Sequence, residues 1–477
     1  MTASRAKTVF ISGKFAVIHS GHIRLFMFAK TVGSKLIVGL DVEDLENTEI
    51  EWRSNFLKNQ EFVDEVVTFK SDLKSVILSI KPEIVIKGSE FSSQFNIESE
   101  IVNSYGAELI FSSGSTYFSE NDLLSNQGNY SLNLRDRIPK DFLKRNHIDL
   151  SEIKKQILQF KNVKVCVIGD LIIDEYINCH PLGMSREEPT VVVTPVDSQK
   201  FLGGAGIVAA HTVGLGAKTT LISMIGKDEA GSWGGLKAKE YGIALNTIED
   251  KTRPTNLKQR YRSGSHTLLK ISHLSQDSVT KTIQDKIISE FKKIASDIDL
   301  LILSDFSYGV FSKEITENLI EIAKKNGILI AADSQTSSQI GDLSQFANID
   351  LITPTEIEAR LELKDHNSGL AVIAESLRNK MNPKSIIIKL GADGLVINGM
   401  KSNGEPLTLD ALPSLNINPI DVSGAGDSLL AASSLALVID NNLAKAALIG
   451  SIAAAIQVGR IGNIPIESEN LVTLIEV

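Results

Sequence analysis

Short apolar runs of strand length alternate with helical patterns in the first 115 residues of the chain. The strand-like runs are residues 9–11, 36–40, 84–87 and 108–111, and the first helical pattern covers residues 22–32. Strands that alternate with helices form βαβ units, in which helices cover a parallel sheet. The N-terminal part is therefore predicted to be an α/β domain.

A second alternating series begins after residue 160. Its strand-like runs are residues 163–168, 300–303, 328–332, 351–353 and 385–389, and residues 283–295 form an amphipathic helical pattern. Residues 176–202 depart from this rhythm, because apolar and polar residues alternate there without a helical period. The pattern predicts a second α/β domain that carries a small β-lid.

The two series are separated by a polar and charged stretch at residues 118–159, which we interpret as a linker with the boundary near residue 140. The length of 477 residues exceeds what one hydrophobic core usually supports. We therefore predict two domains, at residues 1–140 and 141–477.

The composition of the chain argues against some classes of binding partner. Hydrophobic residues make up 43% of the chain and charged residues 22%, as in ordinary globular proteins. The net charge of -9 argues against sequence-independent binding to nucleic acid or to an anionic membrane. The two cysteines fit neither a zinc site nor a disulfide framework. With no signal-peptide pattern and no apolar run of about 20 residues, we expect a cytoplasmic protein without nucleic-acid or membrane partners.

The loop after the first predicted strand contains His19 and His22 in a run that begins at Gly13. This run opens a helix, so its amides can bind phosphate. Two imidazoles there can contact a nucleoside triphosphate and stabilise charge at the α-phosphorus while pyrophosphate leaves. The alternative is that both are ordinary histidines at the start of a helix.

A second motif, Asp-Val-Ser-Gly-Ala-Gly-Asp-Ser at residues 421–428, leads into a helix rich in alanine and leucine. The small residues Gly424, Ala425 and Gly426 let successive N–H groups converge at the helix start, where they can hold a transferred phosphoryl group. Asp427 lies beside this position and can accept the proton of an attacking hydroxyl. Taken alone, the glycines would also fit a tight turn needed only for packing.

Further segments follow the same order as in a known family. Most contain glycine or aspartate, at residues 169–170, 203–206, 214–217, 226–228, 304–305 and 390–394, and one is the Thr-Pro pair at residues 353–354. With residues 421–428, these segments resemble the ribokinase-like or PfkB sugar kinases over residues 160–477. The resemblance implies a sugar substrate, ATP and Mg²⁺. It also implies a homodimer in which the β-lids pair.

The resemblance assigns roles to residues outside the octet. Glu358 would help organise Mg²⁺, and Gly391 and Gly394 would lie at the nucleotide. The residues that would face the sugar or its distal phosphate are Asp174, Gly203, Gly204, Lys258 and Arg260. For the two cations, a solvated strand face is the alternative.

The N-terminal run resembles the cytidylyltransferase-like nucleotidyltransferases, whose fold is Rossmann-like. By that resemblance the nucleotide would contact Gly13, Phe15, Lys87, Ser115 and Thr116, and the nucleotide would be ATP or CTP. The family usually has aspartate where this chain has Ala16, and the segment between residues 41 and 56 is short. An active and an inactive or merely nucleotide-binding domain are therefore both open.

Together the two halves resemble the bifunctional heptose 7-phosphate kinase and heptose 1-phosphate adenylyltransferase family, with the domain order reversed. The sequence departs from that family at Ile207, Tyr308, Gln335 and Thr355, where asparagine, lysine, lysine and asparagine are usual. The predicted function is phosphorylation of the anomeric hydroxyl of a phosphorylated sugar, followed by nucleotidyl transfer. The alternatives are a sugar kinase with an inactive or regulatory N-terminal domain, and a non-catalytic nucleotide-binding scaffold.

Overall fold

A computed structural model describes two stretches of the chain. In the first, the described residues are 7–15, 22, 25–26, 29–30, 32–43, 45, 47–58, 60, 62–88 and 96–112. In the second, they are 137–263, 266–275, 277–335, 341–400, 406–416 and 419–476. The chain forms two compact units, Met1–Ser131 and Leu132–Val477.

The N-terminal unit contains a five-stranded sheet in the order β3-β2-β1-β4-β5, and all of its pairings are parallel. The strands are β1 (Thr8–Gly13), β2 (Lys35–Asp41), β3 (Glu65–Phe69), β4 (Ile84–Gly88) and β5 (Glu108–Ser112). The helices are α1 (Asn47–Lys58), α2 (Leu73–Ile80) and α3 (Ile97–Asn103), and the described residues between 22 and 32 are also helical.

Alternate residues of β1 explain why this sheet has helices on both faces. Val9 and Ile11 are buried in one apolar cluster, whereas Phe10 is buried in another. Successive side chains of a strand point to opposite faces, so β1 needs cover on both. The predicted Rossmann-like α/β fold is confirmed. The edge strand β3 is only partly buried, which is why no continuous apolar run marked it in the sequence.

The C-terminal unit is built on a nine-stranded sheet in the order β10-β9-β6-β13-β14-β15-β16-β17-β18. The strands from β10 to β16 in this order are parallel, and β17 and β18 add an antiparallel edge. The strands are β6 (Lys164–Gly169), β9 (Lys218–Gly226), β10 (Ala244–Asp250), β13 (Leu300–Asp305), β14 (Leu329–Ser334), β15 (Leu351–Ile352), β16 (Ser385–Lys389), β17 (Leu395–Met400) and β18 (Pro406–Leu412).

Helices cover both faces of this sheet. They are α4 (Lys140–Arg145), α5 (Leu150–Gln159), α6 (Ala205–Gly214), α7 (Glu229–Glu240), α8 (Lys281–Ile294), α9 (Lys313–Lys325), α10 (Glu356–Leu363), α11 (Leu370–Met381), α12 (Ala425–Asp440), α13 (Leu443–Val458) and α14 (Ser468–Glu476). Short 3₁₀ turns occupy Phe160–Asn162, Ala295–Asp297, Leu343–Phe346 and Gly391–Asp393. No helix within these described stretches has the length and apolar character needed to cross a membrane.

The C-terminal part of the segment interpreted as a linker is folded. Helices α4 and α5 lie within residues 118–159, and Phe142, Ile153 and Ile157 are buried in the main apolar core of the C-terminal unit. The interpretation of residues 140–159 as linker was wrong, because the charged residues of these helices lie between buried ones and obscure the apolar stripe.

A separate four-stranded sheet in the order β12-β11-β7-β8 forms the lid. Its strands are β7 (Leu171–Met184), β8 (Val191–Gly204), β11 (Asn256–Ser263) and β12 (His266–His273). The predicted β-lid is confirmed, and it is larger than residues 176–202 because β11 and β12 extend the β7–β8 hairpin.

Candidate active site

The turn that precedes α12 is held in a conformation that only glycine adopts easily. Gly424 has a φ of 76°, and a Cβ at this position would lie 2.3 Å from the Asn463 Oδ1 atom. Asp421 braces the turn, because its carboxylate accepts the Ser423 N–H at 3.0 Å and the Gly462 N–H at 3.1 Å. The turn leads directly into a 16-residue helix whose first residues include Ala425 and Gly426. Binding of a phosphoryl group by the N–H groups of residues 424–426 stays a prediction.

Asp427 lies in the first turn of α12 and is 6% exposed. Burial raises its pKa to about 7, and the negative charge of Asp333 adds to the shift while Lys389 opposes it. The Gln335 side-chain amide donates a hydrogen bond of 2.9 Å to Asp427 Oδ1. A carboxylate whose pKa lies near neutrality can accept a proton from a hydroxyl more readily than an ordinary aspartate can.

A buried ion pair that no sequence motif indicated lies beside Asp427. The Lys389 Nζ atom is 2.7 Å from Asp333 Oδ2. The same Nζ atom would be 3.1 Å from a Cβ on Gly426, so the cation borders the N–H groups at the start of α12. Burial would lower the pKa of Lys389, but Asp333 and Glu358 raise it above its ordinary value, and the residue therefore stays charged.

Strand ends bring these groups together. Asp333 lies near the carboxyl end of β14, and Lys389 is the last residue of β16. Gln335 follows β14 two residues after Asp333, so both side chains leave the strand on the same face. Ligand sites in open α/β sheets form at the carboxyl ends of strands. The feature of the sequence that could have identified Asp333 and Lys389 was therefore a charged residue at the end of a buried apolar run.

Glu358 takes part in a capping box at the start of α10. Its carboxylate accepts the Thr355 N–H at 2.7 Å, and its own N–H donates to Thr355 Oγ1 at 3.2 Å. Its negative charge also acts on Asp333 and Lys389. Among the described residues, no group of three or more His, Cys, Asp or Glu side chains could hold a metal by itself. Mg²⁺ usually needs only one or two carboxylates together with substrate phosphates, so Glu358 fits that ligand chemistry.

The predicted sugar-facing residues meet at the base of the lid. Asp174 of β7 is buried, and its Oδ2 atom accepts a 3.3 Å hydrogen bond from Asn463. A Cβ on Gly203 of the paired strand β8 would lie 2.4 Å from this oxygen, so only glycine leaves room for it. The neighbouring Gly204 has a φ of 55°. Burial raises the pKa of Asp174, whereas Arg260 opposes that shift.

Arg260 and Tyr176 connect the lid to the turn before α12. The Arg260 guanidinium donates to the Tyr176 hydroxyl at 2.7 Å and to the Ser423 hydroxyl, and it lies 3.6 Å from the Asp174 carboxylate. The Tyr176 hydroxyl in turn donates to Asp421 at 2.8 Å. Arg260 therefore already has protein partners at the place where the sequence suggested a substrate phosphate.

Lys258 of β11 occupies a different environment. Its Nζ atom lies 5.1 Å from the ring centroids of both Phe306 and Tyr308. Its positive charge opposes the rise in the pKa of both Asp174 and Asp427. Lys258 therefore acts on both the predicted sugar site and the predicted base. Contact with a distal phosphate of the substrate stays a prediction for Lys258 and Arg260.

Gly391 and Gly394 lie in the turn after β16. Their φ values are 62° and 93°, and a Cβ on Gly394 would come within 2.2 Å of the Leu412 carbonyl oxygen. The backbone conformation therefore requires glycine at Gly394 whether or not a nucleotide binds there. The nucleotide contact of both residues stays a prediction.

The loop after β1 in the N-terminal unit brings some of its predicted site residues together. Phe15, which follows Gly13 by two positions, is buried with a φ of 44°, and its ring packs edge-on against the His22 ring at 5.1 Å. The Arg53 guanidinium donates to the Lys14 carbonyl oxygen at 3.0 Å, a contact that the sequence did not indicate.

The remaining candidates in this unit are not all described. Lys87 Nζ lies 2.8 Å from the carboxylate of Glu98, which is only 3% exposed. His19, Ser115 and Thr116 lie outside the described residues.

Comparisons with known proteins cover mainly the C-terminal unit. The family model for pfkB family carbohydrate kinase matches residues 162–470. The bifunctional protein HldE of Helicobacter hepaticus is 30% identical over 311 residues, which are 64% of this chain and 62% of that protein. HldE of Sulfurimonas denitrificans is 29% identical over 315 residues, 65% of this chain and 63% of that protein. The chain thus covers less than two thirds of the length of these relatives.

Solved structures show the same fold. Escherichia coli phosphofructokinase-2 in complex with fructose-6-phosphate gives a TM-score of 0.54 at 18% identity and covers 66% of this chain and 98% of its own. Arabidopsis thaliana ribokinase gives 0.51 at 16% identity and covers 66% and 99%. These identities support a shared architecture only. Because the family match spans more than half of the sequence, the chain belongs to the pfkB family of carbohydrate kinases.

Proposed function

We propose that the C-terminal unit transfers the γ-phosphoryl group of ATP to the anomeric hydroxyl of a phosphorylated sugar of the heptose 7-phosphate type. The N-terminal unit would then transfer a nucleoside monophosphate to a sugar 1-phosphate and release pyrophosphate. The observation that carries the kinase proposal is Asp427, a buried carboxylate with a pKa of about 7 at the start of α12, next to the Lys389 cation.

The geometry gives each residue a task in phosphoryl transfer. Asp174 would orient the sugar, and Asp427 would take the proton of the attacking hydroxyl. The hydroxyl oxygen would bond to the γ-phosphorus while the bond from that phosphorus to the β,γ-bridging oxygen breaks, and ADP would leave. The N–H groups of residues 424–426 would hold the transferred phosphoryl group, and Lys389 would offset its charge. Glu358 and the nucleotide phosphates would hold Mg²⁺, which supplies further neutralisation of the phosphate charge when bound.

A negatively charged sugar is favoured by the cations at the lid. Lys258 acts on both Asp174 and Asp427, and Arg260 lies 3.6 Å from Asp174, so two cations lie near the predicted sugar site. A bisphosphate product would need a separate phosphatase to remove the distal phosphate before nucleotidyl transfer. The heptose assignment rests on the resemblance described above, and Ile207 and Tyr308 stand at positions where that family differs.

ATP consumption should be measured with a panel that includes hexose phosphates, heptose phosphates and unphosphorylated sugars. We expect turnover above background only with phosphorylated sugars whose anomeric hydroxyl is free, and at least about 100-fold slower turnover in the Asp427→Asn variant. Equal background turnover in both proteins across the panel would remove the kinase proposal and favour a non-catalytic nucleotide-binding protein.

A second candidate function is a sugar kinase whose N-terminal unit is inactive or regulatory. The ion pair between Lys87 and the buried Glu98 favours it, because a lysine held in this way is less available to a nucleotide phosphate. Pyrophosphate release should be measured with ATP and with CTP in the presence of sugar 1-phosphates. Release that is lost in the His22→Ala variant supports the bifunctional enzyme, whereas no release with any pair supports the second candidate.

The lid hairpin is proposed to pair with that of a second copy of the chain. Leu182, Met184 and Val196 on β7 and β8 are 61–69% exposed, and their neighbours Val191 and Val192 are exposed too. Apolar side chains grouped on an exposed sheet are typical of an interface. We expect Leu182→Asp/Met184→Asp to convert a dimer into a monomer in light scattering after size exclusion.

Leu236→Asp is the matched control for this experiment, because Leu236 on α7 is 70% exposed but lies outside the lid sheet. It should leave the dimer intact. A wild-type protein that is monomeric at micromolar concentration, or a dimer that survives both lid changes, would contradict pairing through the lid.

A further inference from the structure

Gln335 makes a direct contact with the predicted catalytic base, and no motif of the sequence accounts for it. Its side-chain amide donates to Asp427 Oδ1 at 2.9 Å. Its backbone N–H donates to the Asp305 carbonyl oxygen at 2.9 Å, which extends the β13–β14 pairing by one residue and fixes the point from which the side chain leaves. The pairing of the sheet thus fixes the backbone from which the side-chain amide extends.

The hydrogen bond from Gln335 makes the two oxygens of the Asp427 carboxylate different from each other. An ionised carboxylate only accepts hydrogen bonds, so the amide NH₂ group must be the donor to Oδ1. With Oδ1 engaged in this way, the proton of a sugar hydroxyl is best received by Oδ2. A base that is oriented before the substrate arrives loses less freedom in the transition state.

The charge of the donor also matters for the base. A cation in the place of the amide would favour the ionised carboxylate strongly, whereas a neutral amide favours it only modestly. The other charged groups that act on Asp427 come from separate strands: Asp333 of β14, Lys389 of β16, Asp174 of β7 and Lys258 of β11. Two are anions and two are cations, and burial of the carboxylate is the largest cause of its raised pKa, so a cation at position 335 would oppose that shift.

We propose that Gln335 is a positioning residue that holds Oδ1 of Asp427, directs Oδ2 toward the sugar hydroxyl, and as a neutral donor leaves this carboxylate a stronger base than a cation would. The proposal rests on the proposed kinase function for its catalytic part. Its structural part, the effect of residue 335 on the titration of Asp427, stands independently of any substrate.

The first experiment therefore uses no substrate. The full-length protein is labelled with ¹³C at the aspartate carboxyl groups, and the signal that Asp427→Asn removes is followed from pH 4 to pH 9. We expect Gln335→Leu to raise its titration midpoint by about one unit and Gln335→Lys to lower it by about one unit or more. Gln335→Met provides a second neutral replacement of similar length, should the leucine variant fail to fold.

Gln345→Leu is the matched control. The Gln345 amide donates to the Asp305 carboxylate at 3.1 Å, so the change removes the same kind of bond elsewhere in the unit. It should leave the midpoint of Asp427 where it is in the wild type. A midpoint that does not move in Gln335→Leu and Gln335→Lys, or that moves in the same direction in both, would overturn the proposal.

The second experiment tests the catalytic part with the sugar phosphate found active in the panel. The acidic limb of the kcat/KM profile should move up in pH for Gln335→Leu and down for Gln335→Lys, with kcat of the leucine variant reduced about 10- to 100-fold and KM changed less than about threefold. Shifted midpoints with unshifted activity profiles would refute the catalytic role of Gln335. Shifted midpoints without turnover on any sugar would uphold the contact and reject the kinase proposal.

Discussion

Replacing Asp427 with asparagine is expected to lower kcat of sugar phosphorylation by about 100- to 10,000-fold, since a general base contributes about that much to a proton transfer. Asparagine keeps the size of the side chain and its bond to position 335, so the turn before α12 should remain formed. KM for ATP should change little, because the N–H groups of residues 424–426 are untouched. Steady-state kinetics with ATP and the active sugar phosphate give both numbers.

The same variant should be more stable than the wild type at alkaline pH. Burial raises the pKa of Asp427 from its ordinary 3.8 to about 7, so the folded protein binds this proton more tightly than the unfolded chain does. Ionisation therefore costs the folded state stability as the pH rises from about 4 through 7, and the cost is constant above that range. Asparagine does not ionise.

Urea unfolding at pH 5 and pH 8 measures this difference. The free energy of unfolding of Asp427→Asn should exceed that of the wild type by about 2–4 kcal/mol at pH 8 and by less at pH 5. Asp410→Asn is a useful opposite control. Partial burial would raise the pKa of Asp410, but hydrogen bonds from Arg145 and Asn146 lower it overall, so removal of this carboxylate should destabilise the folded protein at neutral pH.

Turnover of Asp427→Asn within about threefold of the wild type would show that another group takes the proton.

Replacing Lys389 with methionine is expected to have the second largest effect, a decrease in kcat of about 100- to 1,000-fold. Its Nζ atom borders Gly426, where the phosphoryl group would be held, and a fixed cation there stabilises charge that develops in the transition state. Methionine has a similar length and no charge. The variant also leaves Asp333 buried without its partner, which should destabilise the fold by about 3–5 kcal/mol.

The double variant Lys389→Met/Asp333→Asn separates these two effects. It removes both charges of the pair, so the free energy of unfolding should return most of the way to the wild-type value. If Lys389 acts on the phosphoryl group, kcat should stay low in the double variant. Recovery of wild-type kcat would mean that Lys389 serves only to neutralise Asp333.

Much of the fold follows from local pattern. Residues 165–168 and 300–303 are apolar because β6 and β13 are buried on both faces, and such runs can be recognised without any partner strand. Helices α4 and α5 could not be recognised in the same way. Their charged residues face solvent while Phe142 and Ile153 enter a core whose other side comes from later in the chain.

The residues of the candidate site also fall into those that a local pattern predicts and those that it does not. Asp427 and Gly424 belong to one continuous turn, so eight neighbouring letters were enough to predict them. Lys389, Gln335 and Tyr176 reach this turn from strands that lie far away in sequence, and their contacts depend on strand order. A single lysine after an apolar run predicts a strand end, but it does not predict which helix that end will meet.

Tyr176 and Arg260 link the lid sheet to the turn before α12, where we propose that the phosphoryl group is held, so the two parts are mechanically coupled. Movement of the lid must stretch or carry along the bonds to Asp421 and Ser423. If binding of a sugar moves the lid, that movement would therefore change how the turn before α12 holds a nucleotide. Thermodynamic linkage makes this reciprocal, so ATP must alter the affinity for the sugar by the same factor. We therefore expect the affinity for either substrate to depend on whether the other is bound.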